Sequence, residues 1–371
     1  MTYKNKEVFL ALVRAGLWEK EVRISPFNII NYDEIYRLAQ EQSVSGLVAA
    51  GFEHVSDTKI PQKVALTFAG DALKLEQRNT AMNYFISVIV EKMRGNGIYT
   101  ILVKGQGIAQ CYERPLWRAC GDVDFLLSES NYIKAKEFLQ PLSSSVDPER
   151  KHEKHLAMTI EAWEVELHGS LKTGLSSRID KLIDSVQVDV FYNGNVRSWI
   201  NGQTQVFLPS ADNDIVFIFT HFLKHFYKEG LGLRQICDWC RLLWTFKDSL
   251  NQGLLETRLK KMGLTSEWKA FGAFAVEYLG MPADAMPLYS ADVSWKKKAD
   301  RILSFIMEVG NMGHNRDTSY FANKPYLARK FMSLRRRCGD MCRHACIFPL
   351  DSVRFFSSIV FNGLRSAVKG E

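Results

Sequence analysis

Residues 102–127 read LVKGQGIAQCYERPLWRACGDVDFLL. An apolar run ends in Lys104-Gly105. Seventeen residues past that glycine stand Asp122-Val123-Asp124, followed by Phe125-Leu126-Leu127. A strand that enters a core is expected to be apolar, because a buried charge is costly unless it is paired or metal-bound. Residues i and i+2 of a strand share a face. Asp122 and Asp124 therefore project together, with Val123 and Phe125 on the opposite face. Two carboxylates on one face, roughly 6–7 Å apart by strand rise, form a hard-oxygen site suited to Mg²⁺.

The preceding residues fit the same picture. Ile98–Val103 reads as a short buried strand, Lys104-Gly105-Gln106-Gly107 as a turn, and Ile108–Tyr112 as the start of a helix. Strand, turn and helix together present backbone N–H groups and a positive helix end to an anion. Glycine at 105 and 107 allows the backbone to approach a phosphate closely. A phosphate-cradling loop followed by two metal-binding aspartates is the logic of nucleotidyl transfer. The loop holds the triphosphate, and the carboxylates hold the ion that bridges the phosphates and the attacking oxygen.

These residues carry a resemblance. The segment is similar to the nucleotidyltransferase superfamily that includes polymerase beta, and within it resembles the bacterial family labelled uncharacterised nucleotidyltransferase. That family shows an apolar strand, Lys-Gly, a helix with a Tyr near its end, an Arg, then Asp-x-Asp before apolar residues. Lys104, Gly105, Tyr112, Arg118, Asp122 and Asp124 match it. A weaker likeness takes in Val165-Glu166-Leu167-His168 and residues 221–243. The commoner superfamily turn is Gly-Ser with a shorter gap to the acids, and Lys-Gly stands here instead.

The resemblance implies a nucleoside triphosphate substrate, Mg²⁺ or Mn²⁺ as cofactor, and a third carboxylate from a later strand antiparallel to the first acidic one. Glu166 is the candidate, on a strand with apolar alternates; Asp189, in Gln187-Val188-Asp189-Val190-Phe191, is its rival. Asp122, Asp124 and Glu166 are thus expected as the catalytic and metal-binding residues, with Lys104, Gly105, Arg118 and His168 at the nucleotide. The residues alone leave other readings open. Lys104 before a glycine turn also suits solvent, Arg118 also suits pairing with Asp122 or Asp124, and His168 equally suits a structural histidine.

Composition bounds the rest. The chain has 371 residues, 46% hydrophobic and 24% charged, as expected of a soluble globular protein of two or three domains. No uninterrupted apolar stretch approaches membrane-spanning length and the start does not read as a signal peptide, so a cytoplasmic protein without a transmembrane segment is expected. Seven cysteines at irregular spacing read as reduced thiols. The net charge of +7 has a local component in Arg329-Lys330, Arg335-Arg336-Arg337 and Arg343. Such a cluster attracts phosphate-rich partners or serves as a solvated helix face, and no dedicated nucleic-acid motif accompanies it.

The pattern predicts an α+β protein with a small mixed-sheet core over 98–208. A helical region over 1–97 precedes it and a helical domain over 209–371 follows. Glu7–Leu17, a segment from Asp33 and the long periodic run Pro61–Arg94 read as helices, the last stopped by Gly95-Asn96-Gly97. Leu156–Ile160 and Trp163–His168 read as strands joined by a tight turn at Glu161-Ala162, and Val186–Tyr192 as a further strand. Beyond Pro209 the periodicity is helical again.

Three further groups invite metal readings. His221 and His225 are spaced i, i+4, but lack a metalloprotease glutamate. Cys237 and Cys240 form a lone CxxC, and Cys338, Cys342 and Cys346 share a helical stripe near His344. Core packing explains each as well. The apolar residues Ile347-Phe348-Pro349, Val353, Phe355, Phe356, Ile359, Val360 and Phe361 are expected to dock on the protein body. Asp351, Ser357 and Ser358 interrupt the wide stripe that membrane docking needs. The functional expectation is a metal-dependent nucleotidyltransferase that moves a nucleoside monophosphate from a triphosphate to an unknown acceptor (protein, RNA or small molecule) with release of pyrophosphate. The altered turn motivates the alternative, a catalytically impaired nucleotide- or protein-binding member of the same fold.

Overall fold

Apolar residues at helical spacing build the N-terminal quarter as four helices: α1 (Tyr3–Trp18), α2 (Tyr32–Glu41), α3 (Ser45–Glu53) and α4 (Gln62–Gly95). The computed structural model describes residues 3–27, 29–151, 153–313, 315 and 326–369. Two glycines let α1 and α3 touch backbone to backbone. A Cβ on Gly16 would lie 1.9 Å from the Leu47 carbonyl oxygen, and one on Gly51 2.1 Å from that of Leu12. Helix α3 has no periodic stripe to announce it, since eight of its nine residues are buried. Gly97, at φ +68°, ends α4, and the Ile98 N–H returns to the Met93 carbonyl at 2.9 Å. The long helix therefore delivers the chain directly to the sheet.

The sheet is assembled from β1 (Ile101–Val103), helix α5 (Gly105–Ala109), β2 (Asp122–Leu126), α6 (Glu129–Leu139), β3 (Ser145–Val146), β4 (His155–Ile160) and β5 (Trp163–His168). The strand order is β1-β2-β5-β4-β3. Strands β2 and β5 are parallel, which corrects the expected antiparallel relation, and the other pairs are antiparallel. The reversal falls at the hairpin turn of Glu161-Ala162: β4 runs antiparallel to β5, and so to β2. Val123, Phe125, Leu156, Met158, Val165 and Leu167 fill one face, against α4 and α6. The other face carries the polar alternates.

Helix α7 (Ser177–Tyr192) replaces the strand expected over 186–192. Ile179, Ile183, Val186 and Val190 are buried at helical spacing, while Val188 is half exposed, so the period of 3.6 prevails over the Val-x-Val-x-Val alternation. A hairpin of β6 (Val196–Asn201) and β7 (Thr204–Pro209) follows. Helices α8 (Ala211–Lys228), α9 (Leu233–Phe246), α10 (Gln252–Met262), α11 (Thr265–Leu279), α12 (Val293–Val309), α13 (Tyr326–Ala345) and α14 (Pro349–Lys369) complete the described chain. One apolar cluster runs from Val8 of α1 through Trp239 and Trp268 to Phe355 of α14. The architecture is α+β, as the pattern predicts.

Phe348 and Phe355 are buried, the Phe355 ring stands 4.8 Å from that of Tyr227, and Arg354 donates to Ser176 Oγ at 2.7 Å. The C-terminal apolar run thus docks on the body, with Leu350, Val353 and Phe361 left exposed. The side chains of Arg329 and Lys330 lie outside the described residues. No helix among the described residues is long and apolar enough to cross a membrane.

Candidate active site

Strand register builds the site. Val103, Asp124, Glu166 and Ala157 form one row across β1, β2, β5 and β4. Ile101, Leu126, His168 and His155 form the next row on the same face. Asp122 precedes Asp124 on that face by one strand period. Because Ala157 is small, it leaves room beside Glu166. One ligand atom each of Asp122, Asp124 and Glu166 lies within 4.8 Å of the others. Asp189, the rival third carboxylate, is instead on α7, where it accepts from Asn193, Asn195 and Asn213.

The electrostatics are those of crowded acids. Asp124 repels Asp122, and with burial raises the Asp122 carboxyl to about 6. Glu166 moves the other way. Burial works against its charge, but hydrogen bonds from His155 and His168 and the nearby Lys104 hold its carboxyl well below the usual carboxylate range. His168 Nε2 lies 2.7 Å from Asp124 Oδ1 and 3.2 Å from Glu166 Oε2; His155 Nε2 lies 3.1 Å from that same Glu166 oxygen. His155 was not among the expected site residues. Its signal was the turn at 161–162, from which counting back along the hairpin places it opposite His168.

Lys104 reaches inward rather than to solvent. Its Nζ contacts Asp124 Oδ1 at 2.6 Å. Burial lowers its pKa, and Asp124, Glu166 and Asp122 together outweigh that and raise it. Its backbone has φ +59° and ψ −145°, a strained conformation for a residue with a Cβ. Gly105 follows at φ +38°, packed so tightly that a Cβ would lie 3.2 Å from Cys120 Sγ. Helix α5 begins at Gly105, earlier than expected, and spans five buried residues.

Arg118 does not pair with Asp122 or Asp124. Its Nε and Nη2 form a two-pronged bond to Asp238 of α9 at 2.8 and 2.7 Å, and Tyr112 Oη donates to the same carboxylate at 2.7 Å. This buried group anchors the loop between α5 and β2 to the helical region. Asn79 of α4 secures it from the other side by donating to the Leu116 and Arg118 carbonyls.

A cavity of about 350 Å³ opens over the sheet face, lined by Asp122, Asp124, His155, Glu166 and His168 on one side and by α8 and α9 on the other. The helical wall contributes His221, Lys224, His225 and Arg234. His221 and His225 face each other with Nε2 atoms 3.0 Å apart, and burial with the nearby cations keeps His221 neutral by lowering its pKa well below 6.5. Arg234 donates to the Ala119 carbonyl through Nη1, while its buried Nε has no partner among the described residues. Cys237 and Cys240 are buried, and burial raises both thiols. Neither that pair nor Cys338, Cys342 and Cys346 joins a metal-competent cluster among the described residues. An acidic floor with Lys224 and Arg234 across the cavity suits a ligand that combines anionic phosphate with a bound cation.

The model of a family described as uncharacterised nucleotidyltransferase matches residues 29–280. No curated protein and no solved structure matches the chain.

Proposed function

The chain belongs to the uncharacterised nucleotidyltransferase family, and on that premise we propose that it moves a nucleoside monophosphate from a nucleoside triphosphate to an acceptor hydroxyl, with pyrophosphate as the leaving group. The observation that carries this reading is the convergence of Asp122, Asp124 and Glu166 on the cavity. These residues fit a divalent cation, Mg²⁺ or Mn²⁺. Three carboxylates whose mutual repulsion raises Asp122 gain most from such an ion. When bound, the ion supplies charge neutralisation at the phosphates and a lowered pKa for the attacking hydroxyl.

The chain's own groups do the rest. Asp122, Asp124 and Glu166 hold the cation, and a Glu166 carboxyl held this low is a good ligand and a poor base. Lys104 stands beside them to contact phosphate oxygen once its ammonium leaves Asp124. Arg234 and Lys224 face them across the cavity and can receive the leaving phosphates. Gly105 brings backbone close to the same space, and His168 can reach the nucleotide from Asp124. Arg118 acts by holding the loop before β2 in place.

The test is a panel of labelled nucleoside triphosphates with Mg²⁺ or Mn²⁺ and cell extract. A labelled acceptor from the wild-type chain, lost in a folded Asp124→Asn variant, is the expected result. One observation favours a second reading: Lys104 and His168 both already satisfy Asp124 Oδ1. A chain that binds nucleotide but labels no acceptor and releases no pyrophosphate would establish that reading, a non-catalytic binding member of the family.

A further inference from the structure

The sheet face carries a second set of ligand atoms that the carboxylate site does not use up. His155 and His168 are register partners on β4 and β5, with ring centroids 4.8 Å apart. Both direct Nε2 at one oxygen, Glu166 Oε2, at 3.1 and 3.2 Å. All three ligand atoms lie within 4.8 Å of one another, and all three residues line the cavity. In a tetrahedral site with metal–nitrogen distances near 2.0–2.1 Å, neighbouring donors stand about 3.3 Å apart. The two measured edges are within a few tenths of an ångström of that figure.

Donor chemistry and charge point the same way. Two imidazoles and one carboxylate form a borderline set that prefers zinc, cobalt or manganese to Mg²⁺, which favours oxygen and keeps its water. Asp122, Asp124 and Glu166 set three carboxylates against the Lys104 ammonium. All of them line the cavity. His221 and His225 also meet at 3.0 Å, but no third ligand atom joins them in a cluster among the described residues.

We propose that His155, His168 and Glu166 form a cation position selective for a divalent transition ion, sharing Glu166 with the Asp122–Asp124 set. The inference deepens the transfer reading and rests on it only in treating the aspartate pair as a metal site; the histidine position itself stands on geometry.

The test uses the full chain, stripped of metal and titrated with Co²⁺, with visible absorption as the signal for nitrogen ligation. The expected result is one Co²⁺ bound with a His-ligated spectrum that a large excess of Mg²⁺ does not displace. Affinity should fall at least about tenfold in His155→Gln and in His168→Gln, each checked for fold by circular dichroism. It should hold in His221→Gln. Equal Co²⁺ binding by wild type and both histidine variants, or displacement by Mg²⁺ at comparable concentration, would overturn the proposal. Should either variant fail to fold, wild-type chain labelled with nitrogen-15 histidine is titrated with Zn²⁺. Perturbation of two Nε2 signals that His221→Gln leaves in place supports the site, and their constancy overturns it. Acceptor labelling with Mg²⁺ is read in parallel. Labelling without a cobalt site sinks this inference and leaves transfer standing, whereas a cobalt site without labelling supports it and counts against transfer.

Discussion

The Arg118–Asp238 pair offers the sharpest test of how the site is held. Asp238 accepts three hydrogen bonds, two from Arg118 at 2.8 and 2.7 Å and one from Tyr112 at 2.7 Å. Both charged side chains are nearly inaccessible, at 4% and 6% of their free exposure. Burial alone would raise the Asp238 carboxyl, but Arg118 outweighs it and the net shift is downward. Asp238→Ala strands a buried guanidinium and an unpartnered phenol. Breaking such a pair costs about 3–5 kcal/mol, at least about a fifth of the roughly 5–15 kcal/mol that holds a typical protein folded. Replacing the whole group by apolar residues, as Tyr112→Phe/Arg118→Met/Asp238→Leu, removes the stranded charge and should return to within about 1–2 kcal/mol of wild type. Urea unfolding at pH 7, followed by tryptophan fluorescence, measures both. Because the pair is buried, the loss should persist in high salt. A cost below about 1 kcal/mol for Asp238→Ala, or one that salt erases, would refute the argument. Nucleotide binding by the triple variant then separates two roles. Retention makes Arg118 a positioning residue, and loss in a stable fold returns its guanidinium to the nucleotide.

Three other outcomes follow from the same structure. The Asp122 carboxyl rises from 3.8 to about 6 on folding, so the folded state is penalised as pH climbs through that window; metal-free Asp122→Asn should be more stable than wild type at pH 7 by on the order of 1–2 kcal/mol and no more stable near pH 3.5, read as melting temperature. Glu267, fully buried beside Tyr227 and near Asp351, rises from 4.5 to about 8, chiefly through burial. Stability should therefore decline between those pH values by at most about 5 kcal/mol, and Glu267→Gln should flatten that decline; a wild-type profile parallel to the variant's would discount it. Gly16→Ala must push a methyl to 1.9 Å from the Leu47 carbonyl, so it should cost 1–3 kcal/mol or about that order and more where the helices cannot part, while Gly70→Ala, with nothing within 4 Å of its added Cβ, should not lower the urea midpoint.

What could be read from the sequence was local, and what could not was set by register across distance. Asp122 and Asp124 declared themselves because charge at alternate positions inside an apolar run has few structural explanations. Glu166 and His168 were visible for the same reason. The Val186-x-Val188-x-Val190 alternation misled, since a buried helical stripe through Ile183, Val186 and Val190 satisfies the same valines. Arg118 and Asp238 are 120 residues apart, and nothing local in either distinguishes a nucleotide contact from a structural ion pair. His155 was missed, because its opposition to His168 follows only from counting the hairpin register back from the turn at Glu161-Ala162. The hidden pairs are also the ones that set charge. The Asp-x-Asp motif names the groups able to hold a cation, while Lys104 and the two histidines, brought in by neighbouring strands, determine how much of that negative charge is already answered before a cation arrives. Asp124 Oδ1 accepts from both Lys104 and His168, whereas no side chain within hydrogen-bond reach answers Asp122 among the described contacts. Asp122 is therefore the least opposed of the three carboxylates, and on the proposed transfer reading Asp124 would become available to a cation only once the Lys104 ammonium had left it.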